Sequence, residues 1–258
     1  MEISLIIPTL NGEKFLSLLL TSLKRQTHPP VEIIVMDSSS GDRTAEIAAE
    51  MGCKTVVIER EAFDHGGTRN LGAEIAAGDV LVFMTQDALP ADDRFLENLV
   101  KPLANQTNPL IAASFGRQLA RQDAVPPEKF ARLFNYPGTG MVKSKEDLPR
   151  LGIKAFFFSD VCSAVRKREF EEVGRFPEKV IMNEDMILAA KLILRGYKVA
   201  YVPEAAVRHS HNYSLSQHFR RYFDIGVSLK MNNWLLEYTK AEGEGFRFVR
   251  DQFVYLIK

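Results

Sequence analysis

Two apolar runs end in carboxylates. Val80-Leu81-Val82-Phe83-Met84 stops at the polar turn Thr85-Gln86-Asp87, and Glu32-Ile33-Ile34-Val35-Met36 stops at Asp37. Short apolar runs rich in Val and Ile read as buried strands, so both acids are delivered to the edge of a sheet. In open α/β sheets, ligands bind in the crevice beyond the strand ends. An acidic turn there can hold a hard divalent cation, Mg2+ or Mn2+, and the cation can hold a diphosphate. The competing reading is structural, because Asp is common in turns and Asp87 precedes a helix that starts near Asp92.

Other residues add to this chemistry. Gly66-Gly67 lets backbone approach a ligand closely, and the helix that follows favours an anion at its N-terminus. Arg69 can pair with phosphate, and Asn70 can bond a sugar or the turn itself. The plain alternatives are a tight turn and a solvated surface arginine. Glu184-Asp185 can supply a base that takes a proton from an attacking hydroxyl, or it can cap the helix that begins there. His209 and His211 offer neutral ring nitrogens to a metal. Two residues apart in an extended segment, they should point to opposite sides.

These side chains need a scaffold, and the sequence supplies one. Strand and helix alternate four times over roughly the first 90 residues, the pattern of a parallel doubly wound sheet. Strands are expected over 4–8, 32–37, 54–58 and 79–84, with helices over 15–23, 44–51 and 66–77 between them. A helix over 95–103 and a strand over 111–116 follow. Residues 117–155, rich in Pro, Gly and charge, resist assignment and read as a long loop. Residues 156–165 return to the core, 183–195 form a helix capped by Gly196, and 197–202 form a late strand.

Beyond Ser216 the chain reads as helical. Phe219, Tyr222, Phe223 and Val227 make one apolar stripe, expected to pack on the main domain. Phe246, Val249, Phe253, Leu256 and Ile257 make a second, after the linker Glu242-Gly243-Glu244-Gly245. Basic residues, among them Arg247, Arg250 and Lys258, flank it. That stripe is expected to serve association, with a second copy of the chain or with an anionic membrane surface.

Composition bounds the partners. The 258 residues are 46% hydrophobic and 26% charged, and Lys+Arg equals Asp+Glu at 33 each. No global basic field argues for nucleic acid. The two cysteines have no metal-site spacing and suggest a reducing compartment. The first strand leaves no room for a signal peptide, and no apolar run approaches the ~20 residues that span a bilayer. A soluble cytoplasmic protein is expected, with room for peripheral contact at the inner face of the membrane.

Taken together the motifs carry a resemblance. Ser4-Leu5-Ile6-Ile7-Pro8-Thr9-Leu10-Asn11-Gly12 resembles the first strand and turn of family 2 glycosyltransferases of the GT-A fold, and Asp37-Ser38-Ser39-Ser40-Gly41-Asp42-Arg43-Thr44 is similar to that family's second motif. Phe63-Asp64-His65-Gly66-Gly67-Thr68-Arg69-Asn70 with Thr85-Gln86-Asp87-Ala88 resembles a narrower branch, the bacterial rhamnosyltransferases that use dTDP-rhamnose. The resemblance covers about residues 3–230 and implies a Rossmann-like, mostly parallel mixed sheet flanked by helices. It divides the chain into a GT-A domain over 1–211 and a C-terminal helical segment over 212–258.

It also implies a site. Asp185 would be the catalytic base and Glu184 an acceptor-side residue. Asp37 would accept the N3–H of a uracil or thymine. Pro8, Thr9, Asn11, Ser39, Gly66, Gly67, Arg69, Asn70, Gln86 and Asp87 complete the donor set. Asp87 and His209 would be metal ligands, with His211 as the alternative to His209. Thr85 stands where many GT-A enzymes carry the first acid of an Asp-x-Asp pair, which weakens the expected metal site.

The implied activity is inverting transfer of rhamnose from dTDP-rhamnose to a saccharide, free or lipid-linked, in surface polysaccharide synthesis. Alternatives are a UDP- or GDP-sugar transferase, a retaining enzyme, and a binding protein without turnover.

Overall fold

The computed structural model describes every residue except 105, 106, 109, 240–242 and 258. Glu242 of the expected linker and the flanking Lys258 therefore lie outside the described residues. The first half alternates β1 (Ile3–Thr9), α1 (Glu13–Lys24), β2 (Glu32–Asp37), α2 (Thr44–Glu50), β3 (Lys54–Val57), α3 (His65–Glu74) and β4 (Val80–Met84). The middle comprises β5 (Leu89–Pro90), α4 (Phe95–Val100), β6 (Ile111–Leu119), α5 (Pro126–Asn135), β7 (Met141–Lys143) and α6 (Leu148–Leu151). Then come β8 (Cys162–Arg166), α7 (Lys167–Glu172), α8 (Glu184–Leu194) and β9 (Lys198–Arg208), followed by α9 (Leu215–Met231), α10 (Trp234–Tyr238) and α11 (Glu244–Leu256).

The described strands form one mixed sheet in the order β3-β2-β1-β4-β8-β6-β9-β5, with β7 alongside β9. The β1–β2, β2–β3 and β1–β4 ladders are parallel, as the alternation requires. β8 runs antiparallel between β4 and β6, and β6 pairs β9 in parallel. The chain winds outward from β1 to β3 and then returns to β4 on the other side of β1. That reversal opens a crevice at the carboxyl ends of β1, β2 and β4.

Both faces of the sheet are covered, so its strands are apolar throughout. Alternate residues of β1 and β4 point to opposite layers. Leu5, Ile7, Val82 and Met84 meet Leu16, Leu19, Leu20 and Leu23 of α1 and Phe95 and Leu99 of α4. Ile6, Leu81 and Phe83 meet Ile187, Leu188 and Leu192 of α8. Phe83 also packs against Phe170 and Phe176, with centroids 5.7 and 4.9 Å away. Each such side chain contributes about 1.5–3 kcal/mol by burial.

Three expectations change. The segment 117–155 is built rather than loose, because Pro126-Pro127 starts α5 instead of breaking the chain. β9 runs past Val202 to Arg208, absorbing Pro203 at an irregularity where its register against β6 shifts between Gly116 and Arg117. A Cβ on Gly116 would lie 2.3 Å from the Ala205 carbonyl oxygen, so only glycine fits there.

The third change concerns α9. Phe219 and Phe223 are 72% and 62% exposed, while Leu229, Trp234 and Leu235 make the core contacts instead. The Ser228 hydroxyl donates to the Met182 carbonyl. On α11 the stripe at Phe246, Val249 and Phe253 faces outward. Phe248 and Tyr255 pack on Phe130 of α5, with centroids 5.3 and 5.4 Å away. These helices are apolar on more than one face, and periodicity does not say which face is covered.

Among the described residues, no helix is long and apolar enough to cross a membrane. The bulge sets the end of β9, and Gly116→Ala tests it. The added methyl should destabilise the fold by about 1–3 kcal/mol as overpacking, read as a lower melting temperature. An unchanged melt would show that β9 can re-register at no cost.

Candidate active site

A cleft of about 740 Å³ lies beyond the carboxyl ends of β1, β2 and β4. One end is lined by Pro8, Thr9, Leu10, Ser38 and Phe63, and the centre by Asp87, Asp160, Asp185 and His209. Arg132 of α5 and Arg221 and Tyr222 of α9 line the far wall.

Asp87, His209 and His211 bring one ligand atom each to within 4.8 Å of one another. Asp87 Oδ1 is 3.4 Å from His209 Nε2, and Oδ2 is 4.0 Å from His211 Nδ1. The expectation that the two histidines diverge is corrected. Alternation holds only along a strand, and β9 ends at Arg208.

His209 Nδ1 lies 3.0 Å from Gln118 Oε1. The Gln118 amide nitrogen donates to Tyr136 Oη at 2.6 Å and Ser159 Oγ at 2.9 Å. With that amide orientation Nδ1 carries the proton, and the bare Nε2 lone pair faces a carboxylate oxygen. Burial, with Arg132 next in weight, holds the His209 ring well below the ordinary imidazole range, and burial also lowers His211. Two neutral imidazoles and one carboxylate aimed at one point form a donor set that fits a divalent cation.

Arg121 was not anticipated, because it lies in the segment that resisted assignment. Its Nη2 donates to the Asp87 carbonyl at 2.6 Å and lies 3.2 Å from Oδ2, and its guanidinium sits 4.4 Å from the Phe15 ring centroid.

The second centre is acidic. Arg69 is 3% exposed. Its Nε lies 2.9 Å from Asp160 Oδ2, and Nη1 lies 3.6 Å from Glu184 Oε1. Arg69 Nη1 also donates to the His65 carbonyl at 2.7 Å. The expectation of a phosphate clamp is thus corrected, since carboxylates surround this guanidinium. Burial, then Asp160 and Asp185, pushes the Glu184 carboxyl up.

Asp185 keeps part of its surface on the cleft, but protein surrounds it. Burial, then Asp160, raises its carboxyl to about 7. Its Oδ1 accepts from Met186 N at 2.7 Å. Asp160 was missed, although the polar Ser159-Asp160 pair ending an apolar run was a usable signal.

Asp37, Asn11 and Ser39, expected at the donor, support the cleft instead of lining it, while Gln86 lines it and also ties its turn to Leu10. Asp37 accepts from the Thr9 hydroxyl at 3.0 Å, from the Ser40 hydroxyl at 2.5 Å and from Ser40 N at 2.9 Å. Asn11 Oδ1 accepts from Gly41 N at 2.9 Å, and the Ser39 hydroxyl donates to the Ile58 carbonyl at 2.8 Å. Both have positive φ, so they stitch adjacent turns together. Gln86 bonds Leu10 N and Leu10 O through its side-chain amide, at 2.9 and 3.0 Å.

The glycine pair also has a structural task. A Cβ on Gly66 would lie 1.9 Å from the Pro177 carbonyl oxygen. Gly67 N donates to Asp64 Oδ2 at 2.6 Å, so the start of α3 is capped by its own aspartate and not left open to an anion. Asn70 bonds both backbone groups of Phe176. Of the expected set, Pro8, Thr9, Arg69, Gln86, Asp87, Glu184, Asp185 and His209 line the cleft.

The family model described as glycosyl transferase family 2 matches residues 4–174. The O-antigen chain rhamnosyltransferase RfbN of Salmonella typhimurium is 46% identical, over 100% of this chain and 82% of that protein. The O-antigen chain rhamnosyltransferase WbaN of Salmonella anatum is 44% identical, over 99% and 81%.

In structure the chain resembles the mannosyltransferase PcManGT of Pyrobaculum calidifontis, solved with GDP-Man and Mn2+. The TM-score is 0.65 at 20% identity, covering 88% of this chain and 61% of that one. The chain thus spans less than two thirds of that solved protein. The fold is that of the GT-A glycosyltransferases, and the chain belongs to glycosyl transferase family 2.

Proposed function

We propose that this glycosyltransferase moves rhamnose, with inversion, from dTDP-rhamnose to a lipid-linked saccharide during surface polysaccharide synthesis. One observation carries the reading. A single cleft holds a metal donor set, Asp87 with His209 and His211, and a carboxylate, Asp185, whose proton affinity burial has raised. The names of the two Salmonella relatives support rhamnose as the sugar and O-antigen as the product class.

Asp185 takes the proton of the acceptor hydroxyl as that oxygen attacks the anomeric carbon, and the bond to the diphosphate breaks on the opposite face. A carboxylate poised near neutrality suits this task better than one near 4, because it holds the proton more strongly once transferred. Glu184 lies beside it on the acceptor side. Asp87, His209 and His211 would hold the cation. When bound, it supplies charge neutralisation for the departing diphosphate. The two imidazoles favour Mn2+ over Mg2+.

α9 lines the cleft through Arg221, Tyr222 and Ile225, and α11 through Gln252. Phe219, Phe223, Phe246 and Phe253 are exposed, and Arg220 and Lys230 flank the α9 stripe. An apolar face with basic shoulders suits an anionic bilayer, and a lipid-borne acceptor would give such a face a purpose. The reading places the enzyme in the cytoplasm, against the inner face of the membrane.

With dTDP-rhamnose as donor, the wild type should transfer sugar where UDP- and GDP-sugars give little product, and NMR should show an inverted anomeric centre. Asp185→Asn should lower kcat by ~10²–10⁴ with donor Kd unchanged. In the wild type, kcat should rise with pH through about 7, because the base acts ionised.

The stability sign is opposite. A raised carboxylate pKa makes ionisation costly to the fold, and that cost grows as pH climbs from the unfolded value of ~3.9 to the folded one. Asp185→Asn should therefore melt no lower than the wild type at pH 8. A loss confined to donor affinity would remove Asp185 from the base role.

His209→Ala and His211→Ala should each weaken Mn2+ binding, titrated with dTDP present, by at least ~10-fold. Undiminished binding in His211→Ala would leave His209 as the sole imidazole ligand. Phe219→Ser with Phe223→Ser should reduce flotation with anionic liposomes at constant molecular mass. A change in mass instead would assign the stripe to a dimer.

A further inference from the structure

Past His209 the β6–β9 ladder is over. His209 N donates to the Leu119 carbonyl, and among the described residues the pairing of β9 with β6 goes no further than Arg208. The turn that carries His211 is held by α5 instead. Arg132 Nε donates to the His209 carbonyl at 2.9 Å, and the Glu128 carboxylate accepts from His211 N at a longer 3.4 Å. The two side chains also bond each other, Arg132 Nη2 to Glu128 Oε2 at 3.2 Å, one turn apart on the same face of α5. Glu128 is 4% exposed. Two further bonds, from Arg121 N to Ser210 Oγ at 3.1 Å and from Val125 N to Asn212 Oδ1 at 3.0 Å, tie the same turn to the segment that leads into α5.

This grip acts on the metal donors. Two planar peptide groups separate the Cα atoms of His209 and His211. Arg132 holds the oxygen of the first, and Glu128 holds the N–H of the second. With both planes fixed, the two Cβ directions are fixed relative to each other. The rings stand at 87° with centroids 4.6 Å apart, and both reach Asp87. An extended chain would send His211 to the opposite side.

Charge alone does not account for Arg132. A guanidinium beside a cation site repels the cation, and Glu128 offsets that repulsion. The feature peculiar to arginine is its rigid fork, which reaches two acceptors at once where a lysine offers a single point charge.

We propose that Glu128 and Arg132 are positioning residues for the metal site, acting through the backbone of the 209–211 turn. The proposal rests on the metal reading of Asp87, His209 and His211 above. The pair brings the second imidazole to the point where the first one and the carboxylate already aim.

The test titrates Mn2+ with dTDP present, counts the imidazole nitrogens coupled to bound Mn2+ by electron spin echo, and records metal-free melting. Arg132→Lys keeps the charge and loses the fork. It should bind Mn2+ ~10-fold more weakly, with one imidazole coupling lost and the metal-free melt unchanged. Glu128→Leu with Arg132→Met removes the pair as a unit, so no lone charge is left in the protein. That variant should fold and show the same loss of coupling.

Weaker Mn2+ binding with both couplings intact would reduce Arg132 to its charge and overturn the proposal. A lower metal-free melt with both couplings intact would overturn it too, and assign the pair to the fold. If the wild type shows no coupled imidazole, the metal reading itself fails and this proposal with it. Two couplings in the wild type and in both variants sink only the proposal.

Discussion

One guanidinium holds the acidic half of the site together. Arg69, from α3, meets Asp160 from the segment before β8 and Glu184 from the head of α8. A buried ion pair gains little net stability, because desolvation cancels most of the attraction. Its effect here is positional and electrostatic. Three elements far apart in sequence are pinned at one point, with Asp185 next in the chain. The carboxylates outnumber the cation, and burial does the rest, so Glu184 and Asp185 retain protons at a pH where exposed acids have lost them. The packing of α3 follows from the same constraint. Gly66 lets the helix start directly beneath the Pro177 carbonyl, and Asn70 fixes Phe176.

The metal-facing half depends on a different constraint, the end of the β6–β9 ladder. Leu119 accepts from His209 N at 2.9 Å, so the histidine leaves the sheet at a fixed height. The register shift at Gly116 decides that height, and it also places Gln118 on β6 beside the imidazole. Backbone irregularity, amide orientation and histidine tautomer form one chain of cause. A regular ladder would aim both side chains elsewhere.

Much of this was legible in the sequence, for identifiable reasons. Parallel strands buried on both faces give continuous apolar runs, so β1, β2 and β4 and the acids at their ends could be read directly. Asp185, His209 and Asp87 stood out because ionisable groups next to such runs are few. The roles of Arg69, Gly66, Gly67, Asn11 and Asn70 were not legible. A short motif shows that close approach or charge is needed, but not whether the partner is ligand or protein, and here protein contacts satisfy them. Arg121, Gln118 and Asp160 sit where no period of 2 or 3.6 marks the element. The outward face of α9 was misread because that helix carries aromatic residues on more than one side, whereas the α11 stripe is exposed as the expectation for it required.

The charge balance around Asp87 bears on the missing first acid. A site for a free divalent cation gains affinity from each carboxylate it offers. This one offers a single carboxylate, already shared with Arg121, beside neutral histidines and near Arg132. Such a donor set is poor for a cation alone, since the nearby guanidinium repels it. For a cation that arrives with a diphosphate the same surroundings are favourable, because the pair is close to neutral or negative and the arginines then attract it. Thr85 in place of an acid continues that logic. A second carboxylate would tighten the bare metal and oppose the phosphates, whereas a hydroxyl leaves the charge of the site to be completed by the donor.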